Sequence, residues 1–430
     1  MKAKTISQAN KPSLTLRVAA LGAIVLGLAA SAAAQTEATI YNFGPRPPTN
    51  PYTGVTLDSS GNLYGVSYYG QTAYKLSRSG NEWQATTLYT FTAGDSGLYP
   101  SSPPVFDFDG NLYGVAAGGG AHNQGVVYKL TPTSQGPWQE TVLYSFTGGK
   151  DGAGPAYNVI FDKAGNLYGT TSYGGSYANN FICQTDYQGC GTIFELSPTR
   201  NGQWNFHLLY TFTDHFNDFG PAFLAFDSAA DLYASSSGGP SGFEGQSSPG
   251  SILKFTPSSS GQWTPSVIYD FANYDGGEPG NIVFDNAGNI YGPAFRDGTP
   301  NCETGIGAEG CGEVFKLSRG SGGKYTLTVL YAFSGYSDGA FPEGLVLLHG
   351  NLYGDTFQGG SAWEQDGNGV IFELSPNSDG TFTETTVFTF QGSDGSWPES
   401  IPVVDSAGNL YGTTVYGGAN GAGVAWEYTP

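Results

Sequence analysis

The chain of 430 residues carries 16 basic residues against 36 acidic ones, for a formal charge of −20. That balance excludes a nucleic-acid-binding surface, which needs clustered lysine and arginine to neutralise phosphates. With 66 glycines, 28 tyrosines, 27 phenylalanines and only 12% charged residues, the composition excludes a helical protein and points to many short strands joined by tight turns.

In chain order, the first segment is a targeting sequence. Lys2, Lys4, Lys11 and Arg17 precede the apolar run Val18–Ala30, and Ala32-Ala33-Ala34 supplies a small-residue cleavage site. Residues 1–34 therefore read as a secretory signal peptide, with an uncleaved membrane anchor as the alternative. The run is short for a hydrocarbon core of ~30 Å, and no later stretch is longer, so the mature chain is expected to have no membrane span. The segment holds four basic residues and no acidic one, leaving 36 acids against 12 bases, a formal charge of −24 on residues 35–430. Such a surface suits a secreted or periplasmic protein and cationic ligands.

Next comes "ATIYNF", Ala38–Phe43, a strand standing alone before the first copy of a repeat. From there the phrase G-N-L-Y-G or a close relative recurs. Its tyrosine falls at Tyr64, Tyr113, Tyr168, Tyr233, Tyr291, Tyr353 and Tyr411, in steps of 49, 55, 65, 58, 62 and 58 residues. Each unit holds four strand-like runs; in the third they are "YNVIFD", "NLYGTTSY", "GTIFEL" and "FHLLYTF". The third run occurs seven times, from "TAYKL" to "GVAWEY", but the fourth occurs only six times inside the units, from "TLYTF" to "TVFTF". The missing fourth strand matches residues 38–43. A seven-bladed, all-β propeller with four strands per blade follows, its last blade closed by the N-terminal strand. Residues 35–430 form one such domain, expected to be monomeric.

The recurring D-x-x-G-N-L-Y-G-T-T-x-x-G-G, then G-x-V/I-F-x-L, then V-L-Y-x-F, resembles the GloVer (Gloeo/Verruco) tandem repeat of exported bacterial proteins. The resemblance spans nearly the whole mature chain. It implies architecture and export and brings no catalytic residues to carry across. Members of that family often end in a sorting or anchoring segment; this chain stops at Tyr428-Thr429-Pro430, so free secretion or a periplasmic location is expected.

Within each unit the Asp-x-x-Gly-Asn segment joins the first two strands and reads as a turn. Most copies offer one carboxylate, too few for calcium, which takes six to eight oxygens. Cys183 with Cys190, and Cys302 with Cys311, stand in two equivalent loops. In an exported chain they are expected to form local disulfides; a zinc site is the alternative. "GIGAEG" (Gly305–Gly310) lacks a following helix, and "GDSG" (Gly94–Gly97) falls in a blade-to-blade turn, so neither carries a Rossmann or protease reading.

Function is sought on the face carrying the second-to-third-strand and blade-to-blade loops, where the copies differ most. Tyr69, Tyr173, Phe295, Phe357 and Tyr416 precede variable loops and are candidates for stacking on a sugar or peptide, packing being the alternative. Asp95, Asp151, Asp218, Asp275, Asp338 and Asp394 recur in the blade-to-blade loops. They are either turn residues or, with Glu278, Glu343 and Glu399, an acidic collar near the central channel that binds a cation. No cofactor is expected, with calcium at this collar as the alternative. His122 and His215 lie in loops of the same face.

The expectation is a non-enzymatic binding scaffold whose partner is a cell-surface glycan or an extracellular protein. A polysaccharide hydrolase or lyase using the same carboxylates is the alternative.

Overall fold

The computed structural model describes residues 36–430 except 176–188, 213–219, 238–248, 259–262, 273–274, 297, 299–301, 303–309 and 361–366. The signal sequence expected at 1–34, together with Cys183, His215 and Asp218, lies outside the described residues. Seven antiparallel sheets follow one another along the chain and close into a seven-bladed β-propeller, with no helix among the described residues. Blade three shows the plan: Ala153–Phe161, Leu167–Tyr173, Thr192–Pro198 and Trp204–Thr211 run from the innermost to the outermost strand.

Blade seven takes Leu410–Tyr416 and Val424–Thr429 from the C-terminal end and Thr36–Asn42 from the N-terminal end. The closing strand pairs from Thr36 with Thr429 to Asn42 with Val424. It begins two residues before the expected Ala38, and Phe43 follows it as a fully buried core residue. Ring closure satisfies backbone groups that an open array would leave as sheet edges.

Burial explains why the ring must close. The buried residues form seven clusters, one at each junction between adjacent blades. The junction of blades one and two joins Tyr64 and Val66 to Leu112 and Tyr128, and that of blades seven and one joins Tyr411 and Ala425 to Leu63 and Tyr74. A blade alone has no core of its own; each buried aromatic or aliphatic side chain, worth about 1.5–3 kcal/mol, needs its neighbour.

The third residue of L-Y-G faces an aromatic residue on the next strand. Gly65 pairs with Tyr74, Gly114 with Tyr128, Gly169 with Phe194, Gly292 with Phe315, Gly354 with Phe372 and Gly412 with Trp426. The ring lies over the glycine backbone: a Cβ on Gly169 would sit 2.6 Å from the Phe194 ring. Blade four has Ala234 instead, and its partner is Leu253. Where the methyl group appears, the aromatic ring is gone.

The Asp-x-x-Gly-Asn turn is built by its aspartate. Asp162 Oδ1 accepts from the amides of Ala164 and Asn166 at 2.8 and 2.9 Å, and Oδ2 accepts from Asn166 Nδ2 at 2.9 Å and the Tyr168 hydroxyl at 3.2 Å. The same four bonds recur at Asp58, Asp107, Asp285 and Asp405. With every acceptor site used internally, the aspartate is a turn residue. Blade four has Asp231 in place of asparagine, and Lys254 neutralises it at 2.6 Å. Blade six has no aspartate there; Leu348 pairs directly with Asn351 across His349 and Gly350, which both take positive φ (53° and 95°), a two-residue hairpin.

Adjacent blades interlock through a glycine and a proline. The residue before the third strand, glycine in six blades and Gln71 in blade one, takes positive φ, and its carbonyl accepts the amide of the phenylalanine at the end of the fourth strand, as in Phe146 to Gly125 (3.0 Å) and Phe390 to Gly369 (3.1 Å). Across the junction stands a proline of the next blade. The residue before that proline also has positive φ, and in six of the blades its amide donates back to the preceding blade, as in Trp397 to Asn368 (3.0 Å) and Phe341 to Cys311 (2.8 Å). Cys302 and Cys311 form the expected disulfide, and Cys190 is disulfide-bonded at the equivalent place in its loop. These bridges brace the carbonyls that the interlock uses.

Gly369→Ala would place a Cβ 2.2 Å from the Thr356 carbonyl and 2.6 Å from Pro398, neither of which can rotate away. We expect it to destabilise the propeller by more than about 3 kcal/mol. Gly61→Ala, at a similar positive φ but in open space, should cost about 1 kcal/mol. Equilibrium urea unfolding of the two variants checks the difference.

Candidate functional site

The interlock fixes where the site lies. Each junction proline enters the innermost strand, an edge strand, where its missing N–H does no harm. The residue after it then points to the centre of the ring. Those seven residues are Tyr52, Ser101, Ala156, Ala222, Gly280, Glu343 and Glu399, and all of them line one central cavity of about 740 Å³. Every blade contributes to this space, which opens among the blade-to-blade and second-to-third-strand connections.

Its rim is aromatic. Tyr52, Tyr68, Tyr69, Tyr157, Tyr173, Phe223 and Phe295 line the cavity. Tyr68 lies 5.7 Å from Tyr52, 5.1 Å from Tyr69 and 5.3 Å from Tyr99 between ring centroids. Tyr157 and Phe223 meet at 5.2 Å on blades three and four. A continuous line, Phe341 to Phe295 to Phe357 to Trp397 to Tyr416, covers blades five to seven with spacings of 5.2, 6.3, 5.0 and 5.2 Å.

Of the five aromatics chosen from the sequence, Tyr69, Tyr173 and Phe295 line the cavity, whereas Phe357 and Tyr416 belong to the aromatic line beside it. Tyr69 is 59% exposed and Tyr173 37% exposed. Phe295 and Phe357 pack into the junction core of blades five and six.

The acidic collar divides in two. Glu278, Glu343 and Glu399 line the cavity, but none of the described aspartates does. Asp151, Asp275 and Asp338 accept hydrogen bonds from Tyr144, Tyr269 and Tyr331 on the outermost strands, at 3.0, 2.6 and 3.0 Å. Asp394 accepts from the Gln391 amide at 2.7 Å, and Asp95 is exposed. Of the two readings, the described aspartates fit that of turn residues, at the far end of the same loops, and only the glutamates reach the cavity. His122 is exposed and lies outside the cavity lining. Among the described residues no three acidic, histidine or cysteine side chains converge to hold a metal ion.

The cavity wall of blades five to seven carries the unusual chemistry. Burial pushes the Glu399 carboxyl up to about 7, while a hydrogen bond from the Tyr52 hydroxyl partly offsets this. Burial, then the neighbouring Glu399, Asp355 and Glu278, hold Glu343 well above the usual carboxylate range. Glu278 is paired with Arg296, Nε to Oε2 at 3.2 Å. Asp355 sits behind the wall with no exposed surface. It follows L-Y-G on the second strand, where the other blades have Val66, Val115, Thr170, Ser235, Pro293 and Thr413. A register shift places Glu343 and Gly344 opposite it. The amides of Gly344 and Ser400 approach its carboxylate, yet neither oxygen makes a hydrogen bond of ordinary geometry.

Sequence reasoning missed Asp355, Tyr52, Tyr68, Tyr157, Phe223 and Trp397. For Tyr52 a signal was present, because its position after the junction proline is that of Glu343 and Glu399.

Proton linkage gives a stability profile. Glu399, Glu343 and Asp355 have folded-state values above their ordinary ones. For Glu399 the stabilising contribution is complete below about pH 4 and is lost as pH rises through about 7, and those of Glu343 and Asp355 are likewise lost as pH rises through their own raised values. For Glu399 alone the change from 4.5 to about 7 corresponds to about 3 kcal/mol. The turn aspartates Asp58, Asp107, Asp285 and Asp405 run the other way. Although burial raises them, hydrogen bonds from asparagine, tyrosine and backbone amides hold them below the usual range, so their contribution is lost only in acid. Glu399→Gln should therefore raise the melting temperature at about pH 8 and leave the acid limb unchanged, as thermal unfolding across pH will show.

The profile of the Gloeobacter/Verrucomicrobia repeat matches residues 27–243 and 181–424. No curated protein sequence matches the chain. Among solved structures, the chain is similar to a streptogramin B lyase at 13% identity, covering 92% of this chain and 97% of that one, with a TM-score of 0.55. It is also similar to virginiamycin B lyase from Staphylococcus aureus (13%, 92% and 99%, 0.55) and to Kuenenia stuttgartiensis hydrazine synthase (14%, 88% and 96%, 0.53). At such identities the likeness is one of fold. The repeat match spans most of the chain and agrees with the seven copies seen in the blades: the chain belongs to the Gloeobacter/Verrucomicrobia repeat family.

Proposed function

We propose that this protein is an exported, non-enzymatic binding propeller that takes a glycan into the central cavity. The carrying observation is the cavity itself: about 740 Å³, lined by all seven blades and rimmed by seven aromatic side chains. Pyranose rings have apolar faces that stack on such side chains, while their hydroxyls suit the polar groups between them. The reading of export draws support from the basic-then-apolar residues 1–34 and from the Cys302–Cys311 disulfide.

One observation favours a second reading, a polysaccharide hydrolase or lyase. Glu399, raised to about 7 at the cavity wall beside Glu343, has the proton affinity of a general acid. Several solved structures with this fold are named as lyases, but fold does not carry chemistry. Product analysis after prolonged incubation with any bound oligosaccharide separates the two: the binding reading expects the oligosaccharide recovered intact.

The binding reading is tested by screening residues 35–430 on a glycan array and measuring hits by calorimetry. Tyr69→Ala and Tyr173→Ala should each weaken a hit about tenfold, the scale of one aromatic stacking contact. Phe108→Ala, fully exposed in the blade-two turn on the opposite face, should leave affinity unchanged. Affinity unaffected by either tyrosine variant would sink the cavity as the site.

A further inference from the structure

We propose that the wall formed by Glu343 and Glu399 is a subsite for the ammonium group of an amine-bearing sugar. The inference rests on the glycan-binding reading and deepens it. The two glutamates occupy the same place in adjacent blades, directly after the junction proline, where other blades carry Ser101, Ala156, Ala222 and Gly280. Those small residues show that the fold asks for nothing acidic there.

Asp355 supplies the independent observation. It is fully buried, both its oxygens lack an ordinary hydrogen bond, and it lies immediately behind Glu343 and Ser400 of the wall. A buried carboxyl without such partners is costly, and equivalent positions hold valine or threonine without difficulty. The Thr53 hydroxyl, 9% exposed and part of the cavity lining, also lacks a partner. The nearest cation, Arg296, is paired with Glu278. At Thr53 the wall thus holds hydrogen-bonding capacity that no described protein group uses, beside two glutamates that have no cation of their own.

The geometry selects an organic cation. No three acidic, histidine or cysteine side chains among the described residues converge on a metal. Tyr52, on the blade next to Glu399 and hydrogen-bonded to it, and Tyr157, which feels the charge of Glu343 and Glu278, add aromatic surface that favours an ammonium group. The groups facing the glutamates are Tyr52, Asp355, Glu278 and Arg296. Below about pH 7 the Glu399 carboxyl keeps its proton. When an ammonium group binds, a carboxyl gives its proton to the buffer and the carboxylate pairs with the cation. Charge balances, and binding is coupled to proton release.

The test is calorimetry on residues 35–430 with the glucosamine trimer, its fully N-acetylated counterpart and cellotriose. It is run at about pH 6, below the Glu399 value of about 7, in two buffers of different ionisation enthalpy. The glucosamine trimer should bind about 30-fold more tightly than the other two, the scale of a charged hydrogen bond, and its heat should differ between buffers by the release of about one proton. Glu343→Gln and Glu399→Gln should remove that preference and the buffer dependence. Tyr173→Ala should weaken all three. Equal affinity for amine and acetylated trimers, or a preference that survives both glutamine variants, overturns the subsite and leaves the glycan reading standing. If no trimer binds, the glycan reading falls and the subsite with it.

Discussion

The fold depends on one contact repeated at six of the seven junctions, the seating of a proline against a glycine of the blade before it; blade one has Gln71, also at positive φ (49°), in the glycine's place. The glycine can do this only in the left-handed conformation and without a Cβ: on Gly125 that atom would meet Pro155 at 2.3 Å and the Ala116 carbonyl at 2.7 Å. The residue preceding the proline accepts a positive φ at every blade, at Asn50, Tyr99, Gly154, Gly220, Glu278, Phe341 and Trp397. Five of these seven are not glycine, a conformation costing of order 1 kcal/mol or more at each. The strain is held by backbone bonds to the preceding blade and by the packed junction behind it.

That constraint also creates the site. Because the interlock fixes the path of the innermost strand, the residue after each proline is delivered to the cavity whatever its identity. Tyrosine, serine, alanine, glycine and glutamate all occur there. Chemistry at those seven places can therefore vary without disturbing the junctions, which are held by residues on either side. Blades six and seven exploit this most, with Glu343 and Glu399 lining the cavity and Asp355 behind them, at the expense of stability above neutral pH. The turn aspartates are the opposite case: each spends its whole acceptor capacity on its own loop and has nothing left for a ligand.

The acidic collar shows how far the sequence could be read. In "DGAFPEG", Asp338 and Glu343 are only a few residues apart. Yet the segment crosses from the outermost strand of one blade to the innermost strand of the next. Asp338 stays at the outer end, bonded to Tyr331, and Glu343 reaches the cavity. Sequence proximity made them one feature; the radius of the disc made them two. Asp355 was hidden for a different reason. It is one departure in a strand position that otherwise reads as packing, and its importance comes from Glu343 and Ser400, which lie on other strands and, for Ser400, on another blade.

By itself the sequence determined the number of blades, the four-strand plan, the closure by the N-terminal strand and the structural nature of the Asp-x-x-Gly-Asn turn. Those properties are local and repeated, so seven copies could be compared within one chain. The pairing of glycine with an aromatic residue across strands was equally local, and blade four confirms it with alanine and leucine. Only the tertiary structure decided which repeated residues face the channel, that the junction glycine and proline meet, and that two glutamates and a buried aspartate share one wall. Those relations join different blades, and no spacing along the chain encodes the angle at which one blade meets the next.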